Sequence, residues 1–167
     1  MTGIVISDAS PLIGLAKIER LNLLEQLYQE VWIPPAVHDE LKPDAKRAGS
    51  QHLKQALDLG WLKVATKAQF SVDVFRELHQ VLDAGESEAI ALAEMLDIRF
   101  LLIDERRGRE IAKHRGVPIA GTGTILLAAK QQGHIQSVGA ELQALQNIGY
   151  RLSDALVQTL IKLAGEN

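Results

Sequence analysis

Two short apolar runs, each followed by an aspartate, constrain this chain more than any other feature. Ile4-Val5-Ile6-Ser7 leads into Asp8, and Phe100-Leu101-Leu102-Ile103 leads into Asp104. Runs of this length without polar alternation are the pattern of strands buried on both faces of a parallel sheet. Between and after them come segments with helical spacing, bounded by glycine, proline and capping residues. The expected fold class is therefore α/β, with three α/β/α layers and a mainly parallel central sheet of about five strands. At 167 residues, 47% of them apolar, the chain is long enough to bury an ordinary core and is expected to form one domain over 1–167.

Strands are expected at 4–7, 31–33, 61–65 (an edge strand), 100–103 and 117–120. Ser10-Pro11 reads as a helix start, with a hydroxyl cap and proline at the first helical position. A second short helix carries Leu21, Leu23, Leu24 and Leu27. Pro35 opens a helix running through Glu40 and Leu41, and the polar segment 42–49 reads as a mobile loop. Residues 51–59 return to helical spacing, with Gly60 at the end. Val72, Phe75, Leu78, Val81 and Leu82 also fall at helical spacing. After an Asp83-Ala84-Gly85 break comes a long helix over about 86–96. A short basic helix over about 107–115 and three more at 122–132, 138–145 and 153–163 complete the chain. The stripe Leu152, Leu156, Leu160, Leu163 reads either as core or as an interaction face.

Open α/β sheets bind ligands in the crevice outside the carboxyl ends of their strands. Four acids fall at such positions: Asp8, Glu40, Glu86 and Asp104. Carboxylates gathered there repel one another, and a hard divalent cation, Mg2+ or Mn2+, is the obvious neutralising partner. Such an ion can activate a water as nucleophile and stabilise charge developing on a phosphate. Each acid also has a local reading. Asp8 and Asp104 can be turn or cap residues, Glu40 a solvated helix residue, and Glu86 an acid favoured by its helix dipole. Glu88, roughly 200° around the helix from Glu86, is the alternative third acid, because both cannot face one ion.

Several function classes are excluded or narrowed by composition. Aromatic residues make up 4% of the chain, which disfavours base stacking on an aromatic sheet. A formal charge of −3 rules out a general polycationic coat but not a local basic strip. Arg106, Arg107, Arg109 and Lys113 form such a strip just beyond Asp104. It reads either as a phosphate contact or as a solvated helix balanced by Glu105 and Glu110. Gly121-Thr122-Gly123-Thr124 reads as a tight strand-to-helix turn that lacks the P-loop lysine, with Thr122 near the metal's water. The chain has no cysteine, so thiolate metal sites and cysteine nucleophiles are excluded. The five histidines show no metal-binding spacing. Ser7 and Ser10 have no partners that read as a nucleophile motif. The opening residues lack a basic region, and the first apolar stretch is broken by Asp8 and Pro11. The expectation is neither a signal peptide nor a membrane span, and a cytoplasmic location.

As a set, these segments resemble the PIN domain, a metal-dependent ribonuclease fold that includes the VapC-type toxins of bacterial toxin–antitoxin pairs. The opening Val5-Ile6-Ser7-Asp8-Ala9-Ser10-Pro11-Leu12-Ile13 is similar to the family's first strand, its aspartate and the small polar residues that follow, among them Ser10 in a supporting role. Ile33-Pro34-Pro35-Ala36-Val37-His38-Asp39-Glu40-Leu41 matches the segment that brings a glutamate. Gly85-Glu86-Ser87-Glu88-Ala89-Ile90-Ala91-Leu92-Ala93 leads towards Leu101-Leu102-Ile103-Asp104, and Val117-Pro118-Ile119-Ala120-Gly121-Thr122 resembles the closing strand. Two positions depart from the toxins. The third acid is usually aspartate, and the residue two before the fourth acid is usually a hydroxyl, where Leu102 stands here. The resemblance covers about 4–135 as a PIN-like core and leaves about 136–167 as a C-terminal helical extension. It implies an Mg- or Mn-dependent endoribonuclease with an RNA substrate, a cognate antitoxin and a homodimer. Other acidic-rim folds fit less well: the second aspartate of a haloacid-dehalogenase phosphatase is replaced by Ser10, a receiver domain needs an acidic pair at the first strand end, and the early Leu-rich segment is not the hairpin of a ribonuclease-H fold. A catalytically silent module that binds RNA or protein is the alternative.

Overall fold

The computed structural model describes residues 3–167. In chain order the elements are β1 (Ile4–Ser7), α1 (Ala9–Lys17), α2 (Asn22–Tyr28), β2 (Val31–Ile33), α3 (Pro35–Leu41), α4 (Ser50–Leu59), β3 (Leu62–Val64), α5 (Val72–Leu78) and α6 (Ala84–Met95). There follow β4 (Ile98–Leu102), α7 (Arg106–His114), β5 (Ile119–Ala120), α8 (Thr122–Gln131), α9 (Val138–Asn147) and α10 (Asp154–Leu163). The five strands form one parallel sheet in the order β3-β2-β1-β4-β5.

The two apolar runs are unbroken because both faces of the sheet are covered. Val5 and Ile6 are both buried yet belong to different clusters, and so do Leu102 and Leu101. One cluster takes the inner faces of α1 to α4 and α8 to α10, and the other those of α5, α6 and α7. That is the three-layer α/β/α arrangement. Among the described residues, no helix is long and apolar enough to cross a membrane.

Local differences from the expected boundaries have simple causes. α1 starts at Ala9, with Asp8 as the preceding residue, rather than at Pro11. Proline is tolerated at its third position because the first four amides of a helix have no intrahelical partner. α6 begins at Ala84, and Asp83 caps it. β4 starts earlier than expected because Ile98 pairs with Ile4, and Arg99 places its guanidinium 4.9 Å from the centre of the Tyr28 ring. β5 is only two residues long, since Pro118 has no amide for the ladder, although its carbonyl accepts from Leu101 N at 2.8 Å. Within the polar segment 42–49, Arg47 Nη2 donates to the carbonyls of Leu41 (2.9 Å) and Glu40 (3.3 Å), tying the segment to the end of α3. The leucine stripe of the last helix divides between the two readings: Leu160 is buried, Leu152 half-buried, and Leu156 and Leu163 exposed.

This topology creates the site. The chain leaves β1 towards β2 and β3, then crosses back to the other side of β1 to lay down β4 and β5. The order reverses between β1 and β4, and a crevice opens beyond the carboxyl ends of those two strands. Asp8 and Asp104 follow those two strands.

Candidate active site

Asp8 sits at the centre of the crevice. Its amide donates to Leu102 O at 2.9 Å, which locks the ends of β1 and β4 together. Ser7 Oγ donates to the Asp8 carbonyl at 2.8 Å. The Asp8 side chain does not cap α1 and is only 5% exposed. Burial pushes its carboxyl up to about 7, the Ala9 amide opposes that in part, and the charges of Asp83, Glu40 and Asp104 add to it.

Glu40 approaches Asp8 across Gly85. A Cβ built on Gly85 would lie 2.8 Å from Glu40 Oε1 and 3.6 Å from Asp8 Oδ1. Only the missing side chain leaves space between these two carboxylates, in the first turn of α6. Glu40 as a residue is exposed, but partial burial of its carboxyl, and then the Asp83 charge, raise it above the usual carboxylate range.

The start of α6 explains the other acids. Asp83 and Glu86 form a reciprocal capping box: Glu86 N donates to Asp83 Oδ1 at 2.8 Å and Asp83 N to Glu86 Oε2 at 3.2 Å. The second Glu86 oxygen, Oε1, faces Gly108, where a Cβ would meet it at 3.4 Å and Glu105 Oε2 at 3.6 Å. Burial, then Asp83 and Asp8, push Glu86 up to about 8. Glu88 points elsewhere: its Oε1 accepts from Ala36 N at 2.9 Å, so it satisfies an orphan amide at the start of α3. Of the two candidates for third acid, Glu86 is the one whose charge is coupled to Asp8.

Asp104 is held by three donors. Thr122 N reaches Oδ1 at 2.9 Å, and Thr122 Oγ1 and Tyr150 Oη both reach Oδ2 at 2.5 Å. Burial, and then the neighbouring Asp104 charge, push the Tyr150 phenol far above its ordinary value, so it stays a proton donor. Arg109 is half-buried and gives Nη1 to Ile103 O at 2.7 Å, bracing the segment that carries Asp104. Arg106, Arg109 and Lys113 share with Asp104 a depression of about 270 Å³. Arg106 also pairs with Glu110 at 3.2 Å. Arg107 is exposed and lies outside that lining. Ser10 is exposed and borders a larger groove, about 670 Å³, that also opens on Asp104.

The acids thus form one connected electrostatic group with Asp8 as the shared neighbour. No ion pair among the described residues involves Asp8, Glu40, Asp83, Glu86 or Asp104. Neither do any three His, Asp or Glu side chains among the described residues form a closed cage for a metal ion. The donor set suits an open site instead. Magnesium commonly takes one or two carboxylates and completes its shell with waters and substrate phosphates. Asp8 and Glu40, facing each other over Gly85, are the pair whose chemistry fits that mode.

Two residues of this group have no counterpart among the sequence candidates. Asp83 was legible as half of an Asp-x-x-Glu capping pattern, but nothing local connects it to Asp8. Tyr150 lies 46 residues beyond Asp104 and carries no sequence signal of its role.

A family model described as a PIN domain matches residues 4–166. No curated protein matches the sequence. The matched span runs from β1 through α10, over the same five-stranded parallel sheet and the acids at its switch point. By that match, which takes in almost its whole length, this chain belongs to the PIN-domain family.

Proposed function

We propose that this protein is an Mg2+- or Mn2+-dependent endoribonuclease. PIN domains are generally nucleases and typically use divalent metals, so a hydrolase acting on phosphodiesters is the coarse expectation. One observation supports the metal: Asp8 and Glu86 are buried, lie in a field of neighbouring acids, and have no ion-pair partner among the described residues. A cation from solution would remove that repulsion.

Asp8 and Glu40 are the proposed metal-holding residues, with Glu86 and Asp104 completing the acidic rim. When bound, the ion would supply an activated water and positive charge for the developing phosphorane-like transition state. The chain's own groups do the remaining work. Thr122 fixes the orientation of Asp104, Arg109 braces the Asp104 segment through Ile103 O, and Arg106 and Lys113 offer exposed positive charge to the RNA backbone. Arg107 is exposed and does not line the depression beside Asp104, and it would contribute only to general attraction. The toxin role, a cognate antitoxin and a homodimer follow from the resemblance of the opening segment and the acid pattern to the VapC-type toxins.

A silent binding module is the second reading, which rests on the glutamate in place of the usual third aspartate and on the formal charge of −3. Purified protein incubated with several RNAs, with and without Mn2+, separates the two. Metal-dependent cleavage that disappears in Asp8→Asn is the expected result. Full cleavage by the Asp8→Asn variant would overturn the mechanism, and no Mn2+-linked stabilisation together with no cleavage would favour the silent module.

A further inference from the structure

We infer that Tyr150 is a positioning residue of the acidic rim, its hydroxyl fixing the carboxylate of Asp104 and so making the link between α9 and α10 part of the site. This rests on the nuclease reading above. Tyr150 Oη and Thr122 Oγ1 converge on the same oxygen, Asp104 Oδ2, each at 2.5 Å, while Thr122 N holds Oδ1 at 2.9 Å. Both oxygens are therefore directed, and the carboxylate has one favoured orientation instead of several. Thr122 comes from the strand end next to Asp104 and would position it in any case. Tyr150 comes from the far end of the chain.

The ring is seated as deliberately as the hydroxyl. A Cβ on Gly14 would stand 2.7 Å from Tyr150 Cε2 and 2.9 Å from Cδ2. Gly14 is a buried position in α1, where alanine would otherwise favour the helix. The glycine therefore gives up helix stability and leaves room for the ring. Because α1 begins immediately after Asp8, the ring registers the Asp8 helix against the Asp104 strand. The Tyr150 amide also donates to Leu145 O at 3.0 Å, anchoring the turn on α9. The groove that opens on Asp104 is also lined by Tyr150, Arg151 and Arg106.

The test compares wild type, Tyr150→Phe, Gly14→Ala and the double variant, all in the full chain. Tyr150→Phe keeps the ring and removes one hydrogen bond, so its melting temperature should fall by no more than about 4 °C. Its Mn2+ affinity, measured by calorimetry without RNA, should weaken about tenfold or more, and kcat should fall by a similar factor at unchanged KM. Gly14→Ala displaces the ring by a different route and should give the same losses. The double variant should be no worse than either single one, because both break the same contact. In the metal-free wild type, a tyrosine hydroxyl proton should be visible at low field by NMR and vanish in both Tyr150→Phe and Asp104→Asn. A merely structural tyrosine would lower the melting temperature and leave Mn2+ affinity, kcat and the additivity of the variants unaffected; that result overturns the inference. If wild type binds Mn2+ and cleaves RNA but Tyr150→Phe does both equally well, the positioning role fails and the nuclease reading stands. If wild type does neither, both fall.

Discussion

Two carboxylate sites in this protein were solved in opposite ways. Glu166, just past α10, is surrounded by donors. Its Oε2 accepts from Lys130 Nζ at 2.7 Å and Val138 N at 2.8 Å, and its Oε1 from Gly139 N at 2.9 Å and Ser137 Oγ at 3.0 Å. Lys130, followed by the Gly139 and Val138 amides, holds its carboxyl down at about 2. Asp8 has burial and like charges instead, which push it up to about 7 from an ordinary 3.8. At about 1.4 kcal/mol per tenfold change, charging Asp8 inside the fold costs roughly 4 kcal/mol more than in water. That is a large fraction of a typical net stability of about 5–15 kcal/mol. A carboxylate that serves the fold brings its own hydrogen-bond donors. Asp8 and Glu86 have one backbone amide each and, among the described residues, no ion-pair partner, and the missing charge is what an ion from solution would provide.

The sharpest way to break this contrast is Asp8→Asn. It should abolish metal-dependent RNA cleavage by about a hundredfold or more and leave the metal-free protein at least as resistant to heat, because a strained charge has been removed. A variant that loses activity only because it unfolds would refute the assignment. Manganese titration of the wild type is the next largest effect. At a hundred times the dissociation constant, the ion should raise the melting temperature by about 5–10 °C. The rise should be greater at pH 8 than at pH 5, where protons compete for Asp8 and Glu86. The sign follows from their raised folded values: without metal, these acids favour the fold most at low pH and progressively less as pH climbs towards 7–8.

Glu166→Gln should behave in the opposite way. Its folded value of about 2 lies below the ordinary 4.5, so its contribution is complete above pH 4.5 and lost as pH falls through 2. The variant should melt a few degrees lower at neutral pH, with the difference shrinking in acid and the Mn2+ response unchanged. A Glu166→Gln protein with wild-type acid sensitivity would show that the clamp does not carry charge stabilisation. Smallest of all, Arg106→Ala and Lys113→Ala should each weaken RNA binding uniformly across sequences and flatten its salt dependence by about one unit of slope. Sequence-selective losses would show that these residues read bases, not phosphates.

Much of the fold was legible because its signals are local. The unbroken 4–7 and 100–103 runs announced strands covered on both faces, and β1 and β4 are buried in that way. Pro35 opened α3 and Gly60 ended α4, each through a backbone preference of a single residue. The departures were also local in cause: Pro118 shortened β5, and Asp83 moved the start of α6 back to Ala84. The candidate acids were harder to sort. Glu86 and Glu88 differ by two positions in sequence, yet one faces the rim and the other the Ala36 amide.

The sequence by itself determined which segments become strands and helices, and that acids follow two central strands, because apolar periodicity and caps act within a few residues. Only the tertiary structure decided which acids share a field, which one caps α3, and that a tyrosine from the last quarter of the chain holds Asp104. Those outcomes depend on helices from distant parts of the chain being packed against one sheet. Burial of Asp8 and Glu86 removes water that would otherwise screen them from the acids around them, and no local pattern of residues records where that water is lost.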